Sequence, residues 1–317
     1  MEISDRYFTP SQKVTDKFDG HRRFYEAVPV IKCLYPRSVR LDDIHCIPVP
    51  CGHCIACRMR RTKEWSLRLE MEAKDYTIDE MQFVTLTYSN ENLPVYVDFD
   101  EHGEVVGITP TLMKRDVQTF MKRLRKRLDY PIRYYFVGEY GSRTERPHYH
   151  AIIYGLKTAD AYKVKECWNN GFVLVKPFFN ETTVYVAGYI QKKLFGKVHY
   201  KDKQAPFLLC SQKLGLNFVL QPDVLEQIKR DPDHCIYVNG YKRGLPRYLR
   251  RKLVELGHIA ENAYDELVAR YEEKASEFEN FIANQDSDYY HWINQFEADL
   301  QRKFVKSNRK RNSNTEV

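Results

Sequence analysis

Alternating apolar and polar positions in the first two thirds of the chain predict four β-strands. Segments rich in β-branched and aromatic residues occur at 82–88, 132–141, 147–155 and 172–178. A short polar turn joins the second strand to the third, which favours antiparallel pairing of these two. A glycine- and acid-containing stretch at 98–107 predicts a separate hairpin.

Helical periodicity predicts helices between and after these strands. Thr109 and Pro110 are predicted as the N-cap and first residue of an amphipathic helix, whose apolar positions recur from Leu112 to Leu128. This mixed order of elements predicts an α+β fold, with a central antiparallel sheet flanked by helices. The predicted helices cover 58–74, 110–128, 158–169, 182–195, 244–257 and 263–285.

Charge is distributed unevenly along the chain. The 317 residues carry a formal net charge of +7, which does not identify a partner by itself. Basic residues strongly outnumber acidic ones in 114–127 and 302–312, whereas 261–299 is acidic. A basic helix face is either a solvated surface or a surface that binds phosphate. The candidate DNA-binding residues are Lys122, Arg123, Arg125, Lys126 and Arg127.

Hydropathy predicts no membrane-spanning helix, because no run of 18 or more uncharged apolar residues occurs. The first ten residues, MEISDRYFTP, lack the apolar core of a signal peptide. We therefore expect a cytoplasmic protein without a membrane partner.

The His148-Tyr149-His150 sequence lies on the third predicted strand, so both imidazoles point to one face and Tyr149 to the other. Two histidines in such a strand are often core residues. Glu139, however, ends the preceding strand and can bring a carboxylate to the same place. Two imidazoles and one carboxylate leave open positions on a divalent cation, as catalytic metal sites do. We interpret these three residues as a candidate metal-binding set, called the histidine–carboxylate set below.

Tyr185, Tyr189 and Lys193 follow one another at intervals of four residues on a predicted helix, which places them on one side of it. Rings at this spacing can simply pack against a sheet. A tyrosine oxygen can also be a nucleophile, although a free phenol has a pKa near 10 and needs activation. A lysine ammonium or a metal-polarised phosphate supplies such activation. These residues form a candidate catalytic stripe.

Cysteines are concentrated near the N-terminus, where two residues separate Cys51 from Cys54 and Cys54 from Cys57. A fourth thiolate from Cys33 or Cys46 would complete a tetrahedral zinc site of the structural type. An iron–sulfur cluster and free reduced thiols are the alternatives. Disulfides are disfavoured in a chain without a secretion signal.

Three blocks carry a family resemblance: FVTLTY at 83–88, RPHYHAIIYG at 146–155 and YVAGYIQKK at 185–193. In order and interval they resemble the three motifs of the HUH endonucleases that initiate rolling-circle replication. The segments PCGHCIACR, GEYG and WNNGFV also resemble the replication initiators of gokushovirus-like Microviridae, which are single-stranded-DNA phages. The resemblance covers roughly 30–200 and implies an HUH endonuclease core.

The same resemblance implies a division of the chain and a fourth zinc ligand. Cys33 is favoured over Cys46, because its Cys-x-x-Pro context resembles a recurrent N-terminal element of these phage proteins. Four regions are expected: a cysteine-rich element with a basic helix at 1–76, the HUH core at 77–200, a mostly helical C-terminal region at 201–300, and a flexible basic tail at 301–317.

The activity that the resemblance implies is metal-dependent, site-specific nicking of origin DNA. The histidine–carboxylate set would bind Mg²⁺ or Mn²⁺, and one tyrosine of the stripe would attack the scissile phosphate. The products would be a 5′-phosphotyrosine link and a 3′-hydroxyl that primes replication. The second tyrosine would act when the strand is rejoined, and Lys193 would offset charge at the phosphate.

Two other functions share parts of this pattern. A transposase or relaxase of the HUH type would share the histidine pair, but most of these enzymes use one tyrosine. A non-catalytic, zinc-stabilised DNA-binding protein would need only the basic residues. No phosphate-loop glycine motif is present, so strand separation would require a host helicase. The expected partners are single-stranded and origin DNA with a host helicase and polymerase, in the cytoplasm of a bacterial host.

Overall fold

The computed structural model describes residues 33–40, 46–141, 144–178, 203–231, 234–260 and 294–303, together with Glu273, Ser276 and Val305. These residues belong to two units, one formed by Met1–Arg61 with Ala260–Val317 and one by Thr62–Ile259. The predicted helix 182–195 and most of the predicted helix 263–285 lie outside the described residues. No helix in the described part of the chain is long and apolar enough to cross a membrane.

Strands and helices are interspersed along the described residues. The strands are β1 (Arg37–Arg40), β2 (Cys46–Val49), β3 (Met81–Tyr88), β4 (Val95–Phe99), β5 (Val105–Pro110), β6 (Arg133–Tyr140), β7 (Pro147–Tyr154), β8 (Gly171–Pro177), β9 (Phe207–Cys210), β10 (Cys235–Val238) and β11 (Tyr241–Gly244). The helices are α1 (Ile55–Ala73), α2 (Lys114–Arg127), α3 (Tyr162–Cys167), α4 (Leu216–Val219), α5 (Pro222–Arg230) and α6 (Arg247–Glu255). Residues 294–303 are also helical.

A five-stranded sheet forms the centre of the Thr62–Ile259 unit, in the order β8-β3-β7-β6-β9. Each neighbouring pair of strands is antiparallel. The predicted α+β fold with a central antiparallel sheet is therefore confirmed. The edge strand β9 was missed, because it comes from the region 201–300 that was predicted to be mostly helical. Its four residues are too few for periodicity to reveal a strand.

The predicted start of the basic helix was wrong by four residues. Thr109 and Pro110 are the last residues of β5, whose backbone is extended because it pairs with β4. Helix α2 begins at Lys114, with Met113 as its N-cap. The predicted hairpin at 98–107 is confirmed in a longer form, since it consists of all of β4 and β5.

Different helices cover the two faces of the central sheet. On one face α2 and α3 pack against the strands, with Phe120 edge-on to Phe136 at a centroid distance of 6.1 Å. On the other face lies the second half of α1, where Trp65 contacts Tyr135 at a centroid distance of 5.0 Å. Alternate residues of each central strand therefore belong to different cores.

A further apolar core lies where the chain continues after the sheet. Leu67 of α1 packs with Ile236 of β10 and Leu249 of α6. The guanidinium of Arg68 lies over the ring of Tyr248, 4.1 Å from its centroid, which is a favourable cation–π geometry. Helix α1 thus supports both the sheet and the segments that follow it.

A buried ion pair connects α1 to the sheet. Glu72 is 1% exposed and accepts hydrogen bonds from the guanidinium of Arg133 on β6 and, at 2.7 Å, from the backbone N–H of Gly215. Arg133 also donates to the carbonyl oxygen of Gln212 at 2.9 Å. Since the Glu72 carboxylate is removed from water, its charge is compensated by these donors alone.

We predict that Arg133→Met destabilises the protein by about 3–5 kcal/mol, because it leaves a buried carboxylate without its counter-charge. The matched control is Arg127→Met, which breaks the Arg127–Glu166 pair, where both side chains are about half exposed, and should cost less than about 1 kcal/mol. Urea unfolding followed by tryptophan fluorescence measures both changes. Equal effects of the two substitutions would contradict a structural role for the buried pair.

Candidate functional site

His148 and His150 lie on β7, the middle strand of the central sheet. On one side of β7, His148 pairs with Thr87 of β3 and His150 with Thr85. On the other side, His148 pairs with Glu139 of β6. Because directly opposed residues share a face of a sheet, this register brings two imidazoles, two hydroxyls and one carboxylate to one surface.

A threonine of β3 orients each imidazole. Thr85 Oγ1 lies 3.2 Å from Nδ1 of His150, and Thr87 Oγ1 lies 3.2 Å from Nδ1 of His148. When Nδ1 carries the proton and donates it to the threonine oxygen, Nε2 carries the lone pair that can bind a metal ion. The threonines therefore set the tautomer and the ring orientation that a metal ligand needs.

Glu139 lies beside the second imidazole. Its Oε1 is 3.4 Å from Nε2 of His150, and the two side chains are 9% and 10% exposed. Phe83 stacks parallel to the His150 ring, with an interplanar angle of 3° and a centroid distance of 6.0 Å. In such a shielded place a carboxylate interacts strongly with a bound cation, because little water screens it.

Gly141 keeps space beside His148. A Cβ atom at this position would lie 3.1 Å from Nε2 of His148, which is closer than the optimal separation of non-bonded atoms. Any larger side chain would thus occupy the space that a ligand of this nitrogen requires. The glycine that ends the GEYG segment is therefore part of the candidate site.

The histidine–carboxylate set is open compared with a closed metal cage. Among the described residues, the metal-binding groups whose ligand atoms all lie within 4.8 Å of one another are confined to Cys33, Cys51, Cys54 and Cys57. A cation on the histidine–carboxylate set would accordingly be completed by oxygens from water or substrate. Open positions of this kind distinguish catalytic from structural metal sites.

A tyrosine pair on the opposite face links the site strands to α2. The hydroxyls of Tyr88 and Tyr149 are 2.9 Å apart, the backbone N–H of Met113 donates to Tyr149 at 2.8 Å, and Tyr88 donates to Asp116 at 2.7 Å. Burial raises the pKa of both phenols well above the usual value. These two tyrosines therefore remain protonated and serve as structural residues rather than nucleophiles.

The sequence predicted the histidine–carboxylate set, which the fold brings to one surface, but did not identify Thr85, Thr87 or Gly141. A signal for the threonines was present, because the alternation in FVTLTY puts them on a common face. That face meets the histidines only if β3 lies next to β7 in this register. Strand order and register could not be read from β3 alone.

The catalytic stripe of Tyr185, Tyr189 and Lys193 lies outside the described residues. Its roles stay predictions.

The candidate DNA-binding residues lie on a different surface from the histidines. Helix α2 covers the sheet face opposite the site, and Lys122, Arg123 and Lys126 are exposed on it. Arg125 and Arg127 are exposed as well and have intramolecular contacts, Arg125 over the Tyr134 ring and Arg127 with a glutamate of α3. The structure thus separates the basic helix from the candidate metal site.

Known proteins of similar sequence are replication proteins of phages. A family described as replication-associated protein, ORF2 type, matches residues 81–194. Replication-associated protein ORF2 of Spiroplasma virus 4 is 31% identical over 228 residues, which cover 65% of this chain and 67% of that protein. The chain belongs to the family of phage replication-associated proteins.

Two further relatives carry similar names. Replication-associated protein ORF4 of Chlamydia phage 1 is 28% identical over 279 residues, covering 77% of this chain and 64% of that protein. Replication-associated protein VP4 of Bdellovibrio phage phiMH2K is 29% identical over 218 residues, covering 63% and 65%. The chain thus spans about two thirds of the length of these family members. The resemblance to Microviridae replication proteins is confirmed.

The part of the chain that matches the family model contains the whole candidate site. The matched residues 81–194 begin with β3 and include β6 and β7. They also include the catalytic stripe at 185–193. The geometry described above therefore belongs to the region that this family shares.

We predict that Thr87→Val and Thr85→Val each weaken Mn²⁺ binding by about 10- to 100-fold, because the histidine ring loses its orienting partner while the side-chain volume is kept. Thr109→Val, at an exposed position on β5, is the matched control and should leave binding unchanged. Isothermal titration with Mn²⁺ in the absence of DNA measures the affinities. Unchanged affinity in both site variants would mean that the threonines do not position metal ligands.

Proposed function

We propose that this protein initiates phage DNA replication by nicking one strand at the origin. The observation that carries the proposal is the pair of imidazoles on β7, each held by a threonine through Nδ1 and accompanied by Glu139. This arrangement lies within the region matched by a family of replication-associated proteins. A replication protein with a cation site on a sheet surface has the equipment for chemistry on a DNA phosphate.

The residues present fit a divalent cation. Nε2 of His148 and of His150 and a carboxylate oxygen of Glu139 would hold it, and Gly141 leaves room for a ligand next to His148. Mg²⁺ or Mn²⁺ in this position would polarise a phosphate oxygen and offset charge that develops during cleavage. The protein's own contribution is to hold these donors in one tautomer and orientation before DNA arrives.

The nucleophile would be a tyrosine of the catalytic stripe, either Tyr185 or Tyr189. Its oxygen forms a bond to phosphorus while the bond from phosphorus to the 3′-oxygen breaks. The proton lost by the phenol is balanced by the proton that the departing 3′-oxygen gains. The products are a 5′-phosphotyrosine and a free 3′-hydroxyl, which a host polymerase can extend. Lys193 would stabilise negative charge on the phosphate.

A second tyrosine extends the same chemistry to strand joining. After one round of synthesis the second phenol would cleave the regenerated origin, and the new 3′-hydroxyl would attack the first phosphotyrosine. That attack restores the first phenol and closes a DNA circle, so no energy source is consumed. Opening the duplex ahead of the polymerase would be the task of a host helicase.

Binding and cleavage would use different surfaces of the protein. The basic side chains of α2 lie on the face opposite the histidines, so they would add affinity for a stretch of DNA away from the cleaved phosphate. Phosphate neutralisation of this kind is independent of sequence and sensitive to salt.

We predict that the protein forms a covalent adduct with an origin-containing single strand in the presence of Mn²⁺. The adduct should persist in Tyr185→Phe and in Tyr189→Phe, and should fall by more than about 100-fold when both are replaced, because no activated phenol is left. Tyr241→Phe, at a tyrosine that is 68% exposed, is the matched control. Denaturing gel electrophoresis of labelled DNA measures the adduct.

DNA binding without an adduct under any divalent metal would contradict the nickase and favour a non-catalytic DNA-binding protein. An adduct that survives the double substitution would show that another residue is the nucleophile.

We predict that replacing Lys122, Arg123 and Lys126 by Gln weakens DNA binding and lowers the dependence of log Kd on log salt by about 2, at about 0.7 for each lost contact to single-stranded DNA. The cleavage rate at saturating DNA should not change, since these side chains do not share a face with the site. Fluorescence anisotropy over a salt series measures the slope. An unchanged slope would assign these residues to an ordinary solvated surface.

A further inference from the structure

Four buried cysteines of the Met1–Arg61 and Ala260–Val317 unit converge on one point. Cys33 precedes β1, Cys51 follows β2, Cys54 directly precedes α1, and Cys57 lies in the first turn of α1. Their exposed fractions are between 0% and 7%. Thiols from segments 18 or more residues apart are thus removed from water together, although none of the four is in a disulfide.

The distances between the sulfurs correspond to a tetrahedral metal site. All four Sγ atoms lie within 4.8 Å of one another, and Cys33 Sγ is 3.8 Å from Cys54 Sγ. Zinc–sulfur bonds of about 2.3 Å in tetrahedral geometry place neighbouring sulfurs about 3.8 Å apart. A disulfide would need about 2.05 Å. The cluster therefore has the spacing of four thiolates around one ion.

Backbone N–H groups point at these sulfurs. The N–H of Cys51 donates to Cys33 Sγ at 3.2 Å, the N–H of Cys54 to Cys51 Sγ at 3.3 Å, and the N–H of Cys57 to Cys54 Sγ at 3.5 Å. Donors around sulfur stabilise negative charge, which four thiolates around a divalent ion would carry.

Positive charge also surrounds the cluster. Arg60 Nη2 donates to Cys57 Sγ at 3.4 Å. Cys54 and Cys57 lie at the N-terminus of the 19-residue helix α1, where the helix dipole favours thiolate over thiol. The net charge of −2 on a zinc ion with four thiolates would thus be partly compensated by the protein.

We propose that Cys33, Cys51, Cys54 and Cys57 bind one Zn²⁺ ion as a closed structural site. The ion fastens the segment before β1 to the start of α1. Leu34 and Leu300 pack against the same cysteines, so the helical residues 294–303 are anchored at the same place. Zinc therefore takes the part of a hydrophobic core in this unit, where Cys33 and Leu300 are far apart in sequence.

A single ion fits the cluster better than an iron–sulfur cluster does. Each cysteine of an iron–sulfur cluster binds an iron that is bridged to others by sulfide, which separates the cysteine sulfurs more widely than one shared ion. Because all four protein ligands are present, no position remains open for substrate, in contrast to the histidine–carboxylate set. The zinc site is independent of the nicking activity.

The test is metal analysis of the full-length protein purified without chelator. We expect one zinc per chain in the wild type, and less than about 0.2 in Cys33→Ser and in Cys51→Ser. The matched controls are Cys46→Ser and Cys167→Ser, which should keep their zinc. His148→Ala should also keep it, which separates this site from the histidine–carboxylate set.

A measurement on the wild-type chain covers the case in which the cysteine variants fail to fold. Replacing zinc by Co²⁺ should give the tetrahedral ligand-field bands and the intense thiolate-to-cobalt charge-transfer bands of four sulfur ligands. A wild-type protein without zinc and without this spectrum would overturn the proposal. So would iron with acid-labile sulfide, or zinc that Cys33→Ser and Cys51→Ser both retain.

Discussion

The register between β3 and β7 is the constraint on which the candidate site depends. It sets Thr85 opposite His150 and Thr87 opposite His148, so the hydrogen bonds that orient both imidazoles follow from strand pairing. A shift by one residue would turn Tyr149 toward the site and both histidines into the core beneath α2. The position of every candidate ligand is therefore a property of the sheet, not of a flexible loop.

Burial on both faces fixes this register. Tyr149, between the two histidines, is completely buried and binds Tyr88 and the Met113 backbone through its hydroxyl. A slipped strand would leave these polar groups without partners in an apolar core, at a cost of about 1–3 kcal/mol for each group. On the other face, Arg133 of β6 compensates the buried charge of Glu72. The same strands thus carry core residues and site residues at alternate positions.

The sequence predicted whatever depends on local periodicity. The alternation at 147–155 correctly separated His148 and His150 from Tyr149, and the antiparallel turn correctly brought Glu139 nearby. Nonlocal features could not be predicted in this way. The threonines became site residues only through strand order, and Thr109 and Pro110 were drawn into a hairpin by pairing with β4, which outweighed their local preference for a helix start.

The placement of charge explains why composition was a poor guide to the site. The basic side chains of α2 lie across the sheet from the histidines, a separation of about 10 Å or more, which is comparable to the screening length of about 8 Å in physiological salt. Their field would therefore help to attract DNA but contribute little at a phosphate on the histidine face. Charge there is governed by Glu139 and whatever cation it holds. Affinity for DNA and chemistry on DNA can consequently vary independently in this protein, because no side chain serves both.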